Sequence, residues 1–169
     1  MDFFEHFGIS RSFQPQLGVV KKAFLEKSRE MHPDLNVHLL DVEKMEEMTA
    51  YNNEAYHTLS KETSLFPYLL GLHGFQLNHL TLTPEFLGEM MDINEEIAEI
   101  RLEQDHAAIS KMADELENKK KALRLEVQAA LDDYDKGLWD NSLSQIAQYC
   151  LKSNYLRRLT NNLTGLPEL

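Results

Sequence analysis

Lys21-Lys22-Ala23-Phe24-Leu25-Glu26-Lys27-Ser28-Arg29-Glu30-Met31-His32-Pro33-Asp34 reads as the end of an amphipathic helix running into a stiff loop. The helix starts near Pro15, a good first-turn residue, and puts Leu17, Val20, Phe24 and Met31 on one face. Its exposed face is basic: Lys21, Lys22, Lys27 and Arg29 stand against Glu26 and Glu30. It has to end before Pro33, because the proline ring disfavours helical geometry at the residue before it. A second amphipathic helix runs from about Val42 to Leu59, with Val42, Met45, Thr49, Asn52, Tyr56 and Leu59 recurring every three or four residues. Two amphipathic helices are therefore expected to flank a short loop, stiffened by Pro33, that presents His32 and Asp34.

Outward from this pair, the pattern stays helical. A short helix, Phe3 to Phe7, stops at Gly8. Another spans roughly Glu62 to Leu72, with Pro67 a weak point inside it. Residues 73–83 have no helical period and contain Gly74, so they read as a connector. Thr83-Pro84-Glu85 is a start signal: a hydroxyl cap, a first-turn proline and an acid at the positive end of the helix dipole. That helix continues to about Glu103, a long one follows from about His106 to Lys136, and the break at Gly137 leads to a last helix reaching about Leu163. Asp140 is the expected cap of the last helix. Nothing reads as a strand with alternating sides. The expected fold is all-α: a four-helix domain over 1–72, a linker over 73–83 and a three-helix antiparallel bundle over 84–169.

Composition restricts the partners. The formal net charge of −11 disfavours nucleic acid and anionic membrane surfaces and suits a partner with a basic patch. No apolar run approaches the roughly 20 residues that a membrane span needs. The start, Met1-Asp2-Phe3-Phe4-Glu5, has neither a basic region nor a cleavage-site pattern, so no targeting segment is read and the cytoplasm is the expected compartment. The single cysteine, Cys150, can form neither an internal disulfide nor a Cys-x-x-Cys zinc knuckle.

Enzymatic readings fare poorly. His32 and Asp34 could be a general-base pair, or metal ligands with His38. A catalytic dyad needs the acid to orient the ring inside a water-excluding pocket, and no nucleophile stands nearby. His38 has no carboxylate cluster at a helical ligand spacing, and the seven histidines are scattered. Cys150 lies among Ile146, Ala147 and Leu151 in a helical pattern and reads as a small core residue. No glycine loop could cradle a nucleotide phosphate. We expect no enzyme activity, no cofactor and no metal.

A protein-binding surface is better supported. With the helix from Pro84 advancing about 100° per residue, Phe86, Met90, Ile93, Ile97 and Ile100 form one narrow core stripe. Leu87 and Met91 project roughly 100–140° away from it, next to Gly88, Asp92, Glu95 and Glu99. An apolar pair among acids, off the core face, has the composition of a modest protein-binding patch.

Phe3-Phe4-x-x-Phe7-Gly8, the basic helix, His32-Pro33-Asp34 and Asn53-x-Ala55-Tyr56-x-x-Leu59, taken in that order over residues 1–72, resemble a J domain. Tyr68-Leu69-Leu70-x-Leu72-His73-Gly74-Phe75 is similar to the J-domain exit of the HscB family, the J-type co-chaperones of iron–sulfur cluster assembly. Phe86-Leu87-x-Glu89-x-Met91-x-x-x-Glu95-Glu96-Ile97-x-Glu99-Ile100 resembles that family's client-binding helix, and Trp139-Asp140 fits the corner before its last helix. The resemblance implies an Hsp70-class partner, HscA-like or DnaK-like, docked by Lys21, Lys22, Lys27, Arg29, His32, Pro33 and Asp34 and stimulated in its ATPase. It implies an IscU-type iron–sulfur scaffold as client, held by Leu87, Met91, Asp92, Glu95, Glu99 and Tyr155. A J-domain adaptor for a different client is the alternative. The sequence departs from the pattern at Leu35, usually lysine, at Ser64-Leu65-Phe66-Pro67, where an arginine-containing stretch is usual, and at Gly88, usually a large apolar residue. It also lacks the zinc-binding cysteine extension of some eukaryotic relatives.

Overall fold

The computed structural model describes residues 1–31 and 42–165. Among them are seven α-helices and no strand: α1 (Phe3–Phe7), α2 (Leu17–Glu30), α3 (Val42–Leu59), α4 (Glu62–Leu72), α5 (Pro84–Glu103), α6 (His106–Asp135) and α7 (Trp139–Thr164), with a 3₁₀ turn at Leu77–His79. The chain divides into two compact units, Met1–Gly74 and Phe75–Leu169. The all-α reading holds, and the ends of α1, α3, α4 and α5 fall where the sequence signals put them.

In the first unit, α2 and α3 pack antiparallel: Phe24 stacks on Tyr56 at 4.5 Å between ring centroids, and Ser28 meets Asn52 four residues further along α2. Asn52 is 1% exposed, and its amide is fully used. Its Nδ2 donates to Ser28 Oγ (3.0 Å) and to the Phe24 carbonyl (3.3 Å), while its Oδ1 pairs with His6 Nε2 (3.0 Å). One side chain thus ties α1, α2 and α3 together, and hydrogen bonding offsets the cost of burying an amide. At the start of the chain, Asp2 caps α1 by accepting from Glu5 N–H (2.9 Å), and Glu5 returns the bond to Asp2 N–H (3.0 Å). Gly8 ends α1 at φ 64°, a left-handed conformation that only glycine adopts cheaply.

Two details of the first unit correct the sequence reading. Leu17, expected on the core face of α2, is 60% exposed because α2 begins there, one turn short of buried Val20. Pro67, expected to weaken α4, leaves it continuous. Proline inside a helix costs about 3 kcal/mol, but Leu65, Phe66, Leu69 and Leu70 are all buried around it. Burying a large apolar side chain contributes about 1.5–3 kcal/mol each, so packing outweighs the lost bond.

The second unit is an up-down-up bundle. Consecutive helices run antiparallel, and α5 lies parallel to the C-terminal half of α7. The link from α5 to α6 is tight: Gln104 takes a left-handed φ of 54°, and Asp105 caps α6 by accepting from Ala107 N–H (2.9 Å) and Ala108 N–H (3.1 Å). The α6–α7 turn is a Schellman closure around Gly137 (φ 84°): Leu138 N–H donates to Asp133 O and Gly137 N–H to Tyr134 O, each at 2.9 Å. Trp139 stacks on Tyr134 and donates Nε1–H to its carbonyl (3.1 Å). Asp140 does not cap α7. The cap position is Leu138, with no side-chain bond, and Asp140 sits inside the first turn, where its charge still favours the helix dipole.

Candidate functional site: two binding faces

The first face lies on α2. Lys21, Lys22 and Arg29 are exposed. Lys21, Leu25 and Arg29 are successive i, i+4 neighbours, so they form one row, and Leu25, 43% exposed, stands in its middle. Lys27 departs from the expected exposed face. It lies on the opposite side of the helix, part-buried, with Nζ 2.9 Å from Glu30. Lys22 pairs loosely with Glu26 at 3.8 Å. His32, Pro33 and Asp34, together with Leu35 and His38, lie outside the described residues.

The second face lies on α5. Thr83 Oγ1 accepts from Phe86 N–H (3.4 Å) and Pro84 occupies the first turn, which fixes the start of the helix and so the direction of every later side chain. Met90, Ile93, Ile97 and Ile100 are buried against Met112 and Leu116 of α6 and Leu156, Leu159 and Leu163 of α7. Phe86 is a correction. It is half-buried rather than core, with its ring edge-on to Tyr155 at 6.2 Å between centroids and Lys152 Nζ 5.5 Å from its centroid. Helix α5 begins there, so no preceding turn covers the ring.

Opposite the buried stripe, Met91 is 59% exposed, and Asp92, Glu95 and Glu99 are exposed beside it. Leu87, expected to be exposed, is half-buried. Tyr155 is half-buried at the same end of the bundle, against Phe86, the immediate neighbour of Leu87. Asn94, Asn162 and Arg101 bond in a chain, Asn162 Nδ2–H to Asn94 Oδ1 (3.0 Å) and Arg101 Nη1–H to Asn162 Oδ1 (2.9 Å), which lays α7 along the Leu87 side of α5. On the far side, Lys119 of α6 pairs with Glu89. Between these seams the outer surface of α5 is open.

Two members of this open surface were missed in the sequence. Ala98 and Leu102 follow Leu87 and Met91 by eleven residues each, which is three turns, so they return to nearly the same direction. Both are exposed. The eleven-residue spacing was the available signal.

Cys150 is buried in α7, as its apolar surroundings implied. Among the described residues, no group of three or more His, Cys, Asp or Glu is arranged to hold a metal ion, and no helix is long and apolar enough to cross a membrane.

The chain is thus a four-helix unit followed by a three-helix bundle with an acid-edged apolar strip on its first helix. Comparison with known proteins agrees. The family model described as the HSCB C-terminal oligomerisation domain matches residues 82–164. The chaperone HscB from Vibrio cholerae superposes with a TM-score of 0.75 at 22% identity, covering 98% of this chain and 96% of that one. The human co-chaperone protein HscB superposes with a TM-score of 0.77 at 25% identity, covering 97% of this chain and 81% of that one. Residues 82–164 thus match the C-terminal domain of the HscB family, and the chain as a whole shares its fold with HscB co-chaperones.

Proposed function

We propose that this protein stimulates the ATPase of an Hsp70-class chaperone and delivers to it an IscU-type iron–sulfur scaffold. The observation that carries the reading is the open strip on α5: Met91 stands exposed among Asp92, Glu95 and Glu99 on a helix whose opposite face is buried core. Exposed methionine on a rigid scaffold costs solvation unless a partner covers it, and carboxylates on one side select the partner's charge.

The proposed division of labour follows the two units. Lys21, Lys22 and Arg29 steer the first unit onto an acidic surface of the chaperone, with Lys27 in a lesser role because Glu30 already pairs with it. His32 and Asp34 complete the chaperone contact, and the proline between them restricts the backbone there by its ring, so little entropy is lost on docking. Leu87 and Met91 give the scaffold its apolar contact, Tyr155 extends it from α7, and Asp92, Glu95 and Glu99 set orientation and association rate. In this reading the protein carries out no bond chemistry itself; ATP is hydrolysed on the chaperone.

The test is a steady-state ATPase assay of the chaperone alone, with this protein, and with this protein plus scaffold. Stimulation by the protein and further stimulation by scaffold are expected. His32→Gln should abolish stimulation while the circular dichroism spectrum is unchanged. Equal stimulation by the variant and the wild type would remove the His-Pro-Asp loop from the mechanism.

A further inference from the structure

The outer strip of α5 does not stop at Met91. Leu87, Met91, Ala98 and Leu102 fall within about 60° of one another around the helix axis. From Leu87 to Leu102 the strip runs about 22 Å at 1.5 Å per residue. Leu102, at 85%, is the most exposed large apolar side chain among the described residues. A lone exposed leucine is ordinary on a protein surface. One in register with Met91, three turns on and with exposed Ala98 between them, continues a surface.

The two edges of the strip differ. Along one edge run the carboxylates of Asp92, Glu95, Glu99 and Glu103, all exposed. Along the other, Asn94 and Arg101 are joined through Asn162 to α7, so that edge is knitted into the bundle and bears no acid. A ligand lying on the strip meets apolar surface under it and negative charge on one side only.

The geometry points to a longer client-binding face, in which Leu102 is a second apolar contact about 16 Å along α5 from Met91. The inference rests on the client-binding reading of α5. The occupant that fits is a folded protein surface with an apolar ridge flanked by lysine or arginine along one side. Two apolar contacts that far apart, with one charged edge, fix the direction in which the client lies along the helix as well as its position. Leu102 is thereby a specificity-determining residue of the client face.

The test measures binding of full-length protein to a purified IscU-type scaffold by isothermal titration calorimetry. Leu102→Ala keeps helix propensity and removes no buried contact, so the thermal melt should stay that of the wild type. Its affinity should fall about fivefold to tenfold, the scale of one large apolar contact. Leu87→Ala with Met91→Ala is measured in parallel, as the control on the underlying reading. If that pair weakens binding and Leu102→Ala does not, the extension is overturned and the client site ends near Glu99. If the pair binds like the wild type, α5 is not the client helix and the inference falls with it.

Discussion

Asp2 shows how one side chain ties the start of the chain into the fold. Burial pushes its carboxyl upward, but the Glu5 N–H and the Arg11 guanidinium, whose Nε donates at 2.9 Å, outweigh that and hold it below the ordinary value of 3.8. A depressed carboxylate contributes stability that is present above its unfolded value and lost as pH falls through its folded one. Asp2→Asn keeps a capping oxygen but loses the charge. The variant should therefore be less stable than wild type near neutral pH, with the gap closing below pH 3.8, as urea denaturation at several pH values would read. A gap that persists unchanged into acid would assign the effect to side-chain geometry rather than charge. Asn52 belongs to the same scale. Its place on the inner face of α3 follows from spacing, but its three hydrogen-bonding partners come from two other helices and are not visible in spacing.

At the scale of the element, α5 has a buried face and an open one. Ile97 is fully buried, so Ile97→Ala should cost about 2–5 kcal/mol. Phe86 is half-buried at the helix start, so Phe86→Ala should cost less, about 1–2 kcal/mol, because only part of the ring leaves water on folding. Chemical denaturation of the two variants gives the order directly, and the reverse order would mean that the inner face of α5 is rotated. The junction after α5 makes a second case. Gln104 is the one described non-glycine residue with positive φ, and a left-handed conformation costs an ordinary side chain about 1–2 kcal/mol. Gln104→Gly should raise stability by up to about 1 kcal/mol, since part of that gain is lost to the freer unfolded chain. A destabilised variant would show that the glutamine side chain holds the junction in a way its backbone does not reveal.

For the whole molecule, charge is distributed unevenly. The chain carries −11 overall, yet α5 alone holds seven carboxylates against one arginine, and α2 presents a row of exposed cations. In the proposed function, two partners of opposite surface charge would then be recruited without competing for one face. Salt should weaken chaperone association, because screening acts over about 8–10 Å near physiological ionic strength. Leu25 in the middle of the basic row adds a contact that salt does not screen, so a residual affinity should persist at high salt. Surface plasmon resonance across a salt series would show this as a falling association rate with a nearly constant dissociation rate. An association rate indifferent to salt would point to a docking face that is apolar throughout.

Periodicity and end signals were enough to define the helices. The spacing in α3, the Thr83-Pro84 start of α5 and the Gly8 stop of α1 are local events, decided by backbone geometry within a few residues, and they are legible in order along the chain. The same periodicity located Met91 on the open side of α5, because a helix fixes each side chain's direction about its own axis. It could not say how far along that axis a neighbouring helix extends. Leu17 and Phe86 point toward the core yet lie at helix starts, and they are exposed and half-buried for that reason. Lys27 shows the converse, a cation drawn to the covered side of α2 and paired there. Asp140 looked like a cap until the Schellman turn at Gly137 placed the start of α7 two residues earlier. Direction around a helix is a property of the sequence; cover along it depends on where other helices begin and end, and only the packed structure decides that.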